Sequence, residues 1–581
     1  MKRTLLSVLA LLGVSAMAQQ AHNAWQPVKA KPFYQKVAKA KELEMSGAPI
    51  ETGVQQPPLH LLNNQNVKAP ANLNKIKIGS SYNQYSVLLE EQSCLTAHPG
   101  LGVIGFAHRQ CSTYPGGSGK VQMSFSADMG ATWDTSLVIT SDGNRYPSGG
   151  IYNPAGNTNV NNAFAVVAGP SLNDVNGQYA GGWTTNYAAS ARMDSTNLFE
   201  EYFDNTMAGD YNGTPTYFIM RNYMFVTDNG KAYIGGDDIN YDGTVYDHLG
   251  FKVLTGTFNP STNKFDWTVN NFAHNFSQDA SGSDNHSQSG MAWSQDGMTG
   301  YVVFIGRDAN SDFKSPQPIV YKTEDGGQTW NMLPLFDFTN IQLFQDSLPN
   351  VQGKNYARPY FSPTEGMDFA VDVYGNLHII SPVVGAFSDH QDSLDYIYST
   401  PWTGIYDVYI NKCGKWDATY VGTLQTVEVQ DTDGCADNGL GWSARIQAGR
   451  SADGSKIFAQ WLDTDPMLSS SNCYPDIHGW GFDVVTGKKT NNINWTAGTN
   501  YTATNKWMYM SNVVLENNGT WTVPTTVSTA GSSDLSPMIH YYMDGITYTQ
   551  DSFYIDVFDP TPLMASLSVT DATCGNADGS A

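Results

Sequence analysis

Two stretches of this chain, Ser126-Ala127-Asp128-Met129-Gly130-Ala131-Thr132-Trp133 and Thr323-Glu324-Asp325-Gly326-Gly327-Gln328-Thr329-Trp330, share the pattern Ser/Thr-x-Asp-x-Gly-x-Thr-Trp. In such a pattern the Asp carboxylate and the hydroxyls can accept backbone N–H bonds within their own turn, and Gly supplies a positive φ. The Trp ring can then pack against the sheet that the turn joins. We therefore expect two equivalent turns between strands, whose fold-determining residues are Ser126, Asp128, Gly130, Thr132, Trp133, Thr323, Asp325, Gly327, Thr329 and Trp330.

Around these turns, one unit recurs: a hydrophobic strand, a tight glycine turn and a second strand. The turn glycines are Gly100, Gly156, Gly230, Gly297, Gly375, Gly454 and Gly545. Short hydrophobic strands between such turns are typical of all-β proteins. A unit repeated at this spacing favours radial repetition of four-stranded sheets, which bury their faces only against neighbouring sheets. We therefore predict an all-β fold, a six- or seven-bladed β-propeller over residues 83–560, in preference to a pair of β-sandwiches.

The composition excludes several functional classes. The chain has 581 residues, with 54 Asp and Glu against 31 Lys and Arg, which gives a net charge of −23. This balance argues against a sequence-independent nucleic-acid binder, which needs a basic surface. After the first twenty residues there is no apolar run long enough for a transmembrane helix.

The amino terminus predicts export. Lys2 and Arg3 precede an apolar segment at residues 5–14, and Ala18 ends a small-x-small cleavage pattern. We expect a signal peptide over residues 1–18, cleaved after Ala18, and a secreted or cell-surface protein. Residues 19–82 are rich in Lys, Gln, Asn and Pro, which predicts a poorly structured, mostly extended N-terminal arm.

The chain has six cysteines, and an exported protein is expected to pair them. Cys94 and Cys111 are close in sequence, so we predict a disulfide between them. The pairing of Cys413, Cys435 and Cys473 stays open on the sequence alone.

One acidic loop is a candidate cation site. Oxygen-bearing side chains alternate ahead of a turn glycine at Asp238, Asn240 and Asp242, and Asp247 follows. Alternating oxygen ligands around a tight turn are typical of calcium loops. The alternative is a solvated acidic turn; beyond Ca²⁺, the sequence predicts no cofactor.

The two octapeptides resemble the Asp-box, the repeat of bacterial neuraminidases that also occurs in other secreted sialidase-like β-propellers. The resemblance implies that the octapeptides are structural turns, remote from the catalytic face. Sialidases of this family hold the substrate carboxylate with three arginines and use a Tyr nucleophile. The propeller region contains Arg109, Arg145, Arg192, Arg221, Arg307, Arg358, Arg445 and Arg450. It has no Arg-Ile-Pro motif of the kind that carries the family's first arginine, so the catalytic residues are left unassigned.

The carboxyl end, residues 567–581, resembles the opening of an immunoglobulin-like repeat of gliding adhesins exported by the type IX secretion route. This resemblance implies a linker and a truncated C-terminal β repeat over residues 561–581.

Together these features predict a secreted or cell-surface β-propeller that is non-catalytic and binds a carbohydrate or a cell-surface protein as part of an adhesin-like protein. The alternative is an exo-sialidase-type glycoside hydrolase, and a third possibility is a structural spacer without a concave site.

Overall fold

Short hydrophobic strands joined by glycine turns pair into antiparallel, mostly four-stranded sheets, as the repeated unit predicts. The structure is a computed structural model. Besides four short strands, Pro27–Lys29, Val67–Lys68, Asp210–Tyr211 and Thr214–Pro215, it describes residues 72–111, 119–181, 185–204, 222–242, 244–313, 315–362, 366–390, 393–398, 403–426, 444–529 and 536–557. The predicted signal peptide and the predicted C-terminal repeat lie outside the described residues.

Within the described residues, seven sheets share one layout, in which the first strand lies at the centre and the following strands lie outwards. Blade 1 contains Leu95–His98, Val103–Arg109, Val121–Ser126 and Asp134–Val138; blade 2 contains Ser148–Tyr152, Phe164–Ser171, Thr185–Arg192 and Phe199–Asp204. Blade 3 contains Asn222–Val226, Lys231–Tyr241, Tyr246–Asn259 and Lys264–Phe272; blade 4 contains His286–Trp293, Gly300–Gly306, Gln317–Thr323 and Asn331–Met332. Blade 5 contains the broken first strand Pro359–Phe361 and Asp368–Val371, then Leu377–Gly385, Thr403–Ile410 and Trp416–Leu424. Blade 6 contains Gln447–Ser451, Lys456–Thr464, Pro475–Asp483 and the short outer strands Lys488–Lys489 and Ile493–Asn494; blade 7 contains Tyr509–Met510, Thr525–Thr529, Met538–Asp544 and, at its rim, Asn74–Ser81.

The seven blades form a closed ring. The central strand of each blade lies against the central strand of the next, and that of blade 7 lies against that of blade 1. The ring is closed by chain ends far apart in sequence, because Asn74–Ser81 pairs antiparallel with Met538–Asp544. The sequence places Asn74–Ser81 in the N-terminal arm, whereas in the structure this strand completes blade 7. The β-propeller prediction is confirmed, with seven blades.

Shorter elements decorate the ring. A three-stranded extension consists of Val513–Asn517, Thr520–Thr522 and Thr547–Thr549, and the remaining short strands are Tyr396–Tyr398 and Ile555–Asp556. The described α-helix is Gln342–Ser347, and short 3-10 turns lie at Gln84–Ser86, Pro99–Leu101, Val160–Asn162, Phe338–Asn340 and Gln550–Ser552. In the described part of the chain, every helix is too short or too polar to cross a membrane.

Six of the recurring glycines mark the same turn. Those from Gly100 to Gly454 lie between the first and second strands of blades 1 to 6. Gly545 instead follows the third strand of blade 7, because an inserted hairpin separates the first two strands of that blade. Turns after the first and third strands of an antiparallel sheet lie at the same edge. This edge of the ring is called the lower face below, and the opposite edge is the upper face.

The two octapeptides adopt the same turn, between the third and fourth strands of blades 1 and 4. In each, the hydroxyl of the Thr directly before the Trp donates to the Asp carboxylate at 2.6 Å, and the Trp indole donates to a Gly carbonyl at 3.0 or 3.2 Å. The hydroxyl and amide of Thr329 are the main reason that the pKa of Asp325 falls to about 2. Both Asp side chains therefore bond within their own turns at the lower face.

The predicted Cys94–Cys111 disulfide is wrong. Cys94 and Cys111 are not bonded to each other, and burial raises the pKa of Cys94 to about 12. The amide of Ala107 donates to the carbonyl of Cys94 at 2.8 Å, so Cys94 lies opposite Ala107. Cys111 lies four residues beyond Ala107, which at 3.3 Å per residue of extended chain is about 13 Å from the position opposite Cys94. A disulfide needs Cα atoms within roughly 7 Å, which this register prevents.

A buried ion pair joins the second and third strands of blade 5. His378 is fully buried, and its Nδ1 lies 2.8 Å from a carboxylate oxygen of Asp407. Its Nε2 lies 3.5 Å from Asp372. Burial by itself lowers the pKa of His378, but the two carboxylates outweigh this effect and raise the pKa to about 9.

We expect the free energy of unfolding to fall between about pH 6.5 and pH 9, because folded His378 keeps a proton that the unfolded imidazole releases. This contribution is complete below the unfolded pKa and is lost as the pH rises through the folded pKa. His378→Gln should remove a slope of at most about 1.4 kcal/mol per pH unit in urea denaturation at pH 6.5, 8 and 9. His390→Gln, at an exposed position, is the control; an unchanged slope in His378→Gln would contradict the assignment.

The closing strand gives a second prediction. Ile78 is fully buried in the rim strand of blade 7, whereas Lys77 beside it is exposed. Ile78→Ala should lower the free energy of unfolding by roughly 2 to 5 kcal/mol, because it leaves a cavity where the ring closes. Lys77→Ala should change it by less than about 0.5 kcal/mol. Equal effects of the two substitutions in denaturant titrations would show that this strand does not hold the ring together.

Candidate functional site between blades 3 and 4

A cavity of about 200 Å³ lies in the cleft between blades 3 and 4. The second, third and fourth strands of blade 3 form one wall, and the first two strands of blade 4 with its octapeptide turn form the other. Its aromatic lining is Tyr233, Phe272, Trp293 and Trp330. Its polar lining is Lys231, Thr255, Thr257, Thr268 and Asn270. The cavity thus combines ring surfaces with hydroxyl and amide groups.

The aromatic side chains hold one another in place. The rings of Tyr233 and Trp293 are stacked, with centroids 3.9 Å apart and planes 10° apart. The indole of Trp330 meets Trp293 edge to face at 5.6 Å and Phe272 at 4.9 Å. Such contacts fix ring orientation as well as burying apolar surface. Trp330, the last residue of its octapeptide, therefore anchors its turn and also forms part of the cavity wall.

The polar groups that line the cavity differ in whether they have a hydrogen-bond partner. The ammonium of Lys231 donates to the carbonyl of Gly326 at 2.7 Å and so links the two blades. The Tyr233 hydroxyl and the Trp293 indole nitrogen are buried and have no hydrogen-bond partner among the described residues. Burial also raises the pKa of Tyr233, so its hydroxyl stays protonated. At the exposed side, the Asn270 amide donates to the Thr255 hydroxyl at 3.3 Å.

In the cleft between blades 7 and 1, the space that corresponds to the cavity is filled by a side chain. Gly130 and Gly327 occupy the same position in the two octapeptides. A Cβ added at Gly130 would lie 2.5 Å from the ring of Tyr542, a blade 7 residue that also packs on Trp133. At Gly327 the nearest atom would lie at 3.2 Å, on Trp293. The two octapeptides are alike, so the difference between a filled place and a cavity comes from the side chains of the neighbouring blade.

A second group of side chains lies between the same two blades, at the upper face. Asp237, His248 and His286 each point one ligand atom to a common region, with all three atoms within 4.8 Å of one another. Nε2 of His248 lies 2.8 Å from Oδ1 of Asp237, and Nε2 of His286 lies 3.9 Å from the same oxygen. The Ser289 hydroxyl lies 2.8 Å from Nε2 of His286, whose Nδ1 is 2.9 Å from the Tyr246 hydroxyl. Among the described residues, this is the group of His, Cys, Asp and Glu with metal-ligand spacing.

The residues predicted to bind calcium lie on the same hairpin but do not form this group; they are Asp238, Asn240, Asp242 and Asp247. The Asp238 carboxylate lies 3.3 Å from the Lys252 ammonium, and the Asp242 carboxylate accepts the amides of Thr244 and Val245 at 2.7 Å. Successive strand residues point to opposite faces, so Asp237 and Asp238 diverge. Sequence reasoning missed His248 and His286 because only strand pairing and blade packing bring them together.

The described arginines all bond to oxygen atoms of this chain, and Arg221 lies outside the described residues. The partners are Asn83 for Arg109, the Asn144 carbonyl for Arg145, Asp194 for Arg192, Asp395 for Arg307, Asp389 for Arg358, the Val87 carbonyl for Arg445 and Gln295 for Arg450. Arg192 and Arg450 lie at the lower ends of their strands, whereas Arg109, Arg145, Arg307, Arg358 and Arg445 lie towards the upper face. What the seven described arginines share is that each already bonds to an oxygen atom of this chain.

Comparisons with known proteins give only distant likenesses. No protein-family model and no curated protein sequence matches this chain. It is similar in structure to the polysaccharide lyase Uly1, with 10% identity and a TM-score of 0.43 over 81% of this chain and 98% of that one. It is also similar to an α-L-arabinanase from Penicillium chrysogenum complexed with arabinobiose, with 12% identity and a TM-score of 0.33 over 72% and 99% of the two chains. A mutant NanB sialidase from Streptococcus pneumoniae matches with 11% identity and a TM-score of 0.31 over 83% and 71%. These proteins act on carbohydrates by name, but all three TM-scores are below 0.5, so function is inferred below from this chain's own side chains.

Proposed function

We propose that this chain is a carbohydrate-binding β-propeller of a secreted or cell-surface protein, and that it holds a sugar unit in the cavity between blades 3 and 4. The observation that carries the proposal is the lining of this cavity, in which aromatic rings lie beside the hydroxyl and amide groups of Thr255, Thr257, Thr268 and Asn270.

The lining suits the two surfaces of a sugar ring. A pyranose has an apolar face of C–H groups and a rim of hydroxyls, so it binds best to an aromatic surface with nearby donors and acceptors. Trp330 and Phe272 supply aromatic surface at the wall. Thr255, Thr268 and Asn270 supply hydroxyl and amide groups on the blade 3 side.

The charges favour a neutral sugar. The lining contains one cation, Lys231, whose ammonium already donates to a backbone carbonyl, and it contains no carboxylate. The whole chain carries a net charge of −23, which gives an anionic sugar no long-range attraction. A neutral hexose or pentose unit of a larger glycan is therefore the ligand that fits, and a cavity of this volume is small for a protein segment.

The tryptophans of the two octapeptides give a matched test. Trp330→Ala should weaken binding of a neutral glycan, first identified on a glycan array with the full chain, by roughly tenfold in isothermal titration calorimetry. Trp133→Ala removes the same residue from the same turn in blade 1, where Tyr542 fills the space, so it should leave the affinity within about twofold of wild type. Equal loss in both variants, or a wild type that binds no neutral glycan, would rule out this site.

The sialidase alternative is tested by activity. The wild type should not hydrolyse a fluorogenic sialoside above the rate of a heat-denatured sample, because each described arginine already bonds to an oxygen atom of this chain. Turnover that disappears in Arg307→Ala or Arg358→Ala would instead establish the enzyme, because those arginines lie at the upper face.

A further inference from the structure

We propose that Asp237, His248 and His286 bind a zinc ion that joins blade 3 to blade 4. The site is separate from the sugar cavity in its residues and its chemistry, so the two proposals stand independently. Its three ligands come from three strands: the second and third strands of blade 3 and the first strand of blade 4.

The distances between the ligand atoms match a tetrahedral ion. Zinc bonds of about 2.0 to 2.1 Å to nitrogen and oxygen place the ligand atoms of a tetrahedron roughly 3.3 Å apart. The observed separations from Oδ1 of Asp237 are 2.8 Å to Nε2 of His248 and 3.9 Å to Nε2 of His286. These values bracket the tetrahedral separation, and small side-chain shifts would make them equal.

The surroundings complete the coordination. The Ser289 hydroxyl lies 2.8 Å from Nε2 of His286 and 3.4 Å from Nε2 of His248, which places it at the fourth corner, directly or through a water. The outer nitrogen of His286 lies 2.9 Å from the Tyr246 hydroxyl. Zinc-binding histidines usually donate their other ring nitrogen to such an outer partner, which orients the ring.

A Ser-His-Asp relay does not explain the arrangement. A relay needs the serine and the aspartate on opposite nitrogens of one imidazole. In this structure Nε2 of His248 is the atom near both Ser289 and Asp237, at 3.4 Å and 2.8 Å. Several donor atoms that converge on one point, instead of forming a chain, are what a cation requires.

The donor set selects the metal and its role. Two imidazole nitrogens and one carboxylate suit zinc, whereas calcium takes oxygen ligands. The side chains of His248 and His286 are at most 1% exposed and that of Asp237 is 8% exposed. A closed, buried site of this kind is structural, and its binding free energy adds to the stability of the fold.

The test measures metal content in the full chain. Wild-type protein refolded from denaturant with Zn²⁺ should retain about one zinc per chain after dialysis, measured by elemental analysis. His286→Ala should retain at least tenfold less. His274→Ala removes a neighbouring imidazole that pairs with Asp308 at 2.9 Å, and it should retain the wild-type amount.

Two further measurements use only the wild type, so they test the proposal even if a variant of a zinc ligand fails to fold. Refolding the wild type with Co²⁺ should give the strong visible absorption of tetrahedral cobalt, and refolding with Zn²⁺ should raise the midpoint of thermal unfolding over refolding with EDTA. No retained zinc and no cobalt spectrum in the wild type would overturn the proposal without any variant. Equal zinc in wild type and a folded His286→Ala would overturn it as well, because the metal would then lie elsewhere.

Discussion

The pairing of Asn74–Ser81 with Met538–Asp544 is the constraint on which the rest of the structure depends. A blade is an open sheet with two hydrophobic faces, and it can bury them only against blades on both sides. A strand from the start of the chain added to strands from its end ties the first and last blades together. Each blade then packs between two neighbours, so a substitution that weakens one interface between blades lowers the stability of the whole ring.

Because the blades repeat, their differences carry the information about function. Beside blade 1, Tyr542 from blade 7 fills the cleft at the octapeptide and packs on Trp133. Beside blade 4, the stacked pair Tyr233 and Trp293 leaves space in front of Trp330. The same local turn is thus a packed corner in one cleft and part of a cavity in another, according to the residue that the next blade presents.

The interface between blades 3 and 4 carries two separate polar features. Towards the octapeptide turn at the lower face, aromatic rings and hydroxyls line a cavity with little charge. At the upper face, Asp237, His248 and His286 bring charged and nitrogen donors into a closed space. The proposed zinc site would join the two blades near the upper face, and the proposed sugar site lies in the same cleft near the lower face.

The sequence by itself determined the features that depend on neighbouring residues: the two Asp-Gly-Thr-Trp turns, the recurring glycine hairpins and, from their number, the propeller. It placed Asn74–Ser81 in the N-terminal arm and paired Cys94 with Cys111, whereas in the structure that strand belongs to blade 7 and the two cysteines lie apart. Each of these depends on strand register or on the partner of a strand, which local residue types do not specify. The cavity and the His248–His286 pair were decided only by the tertiary structure, because their side chains come from separate strands of two blades and meet only when the ring closes.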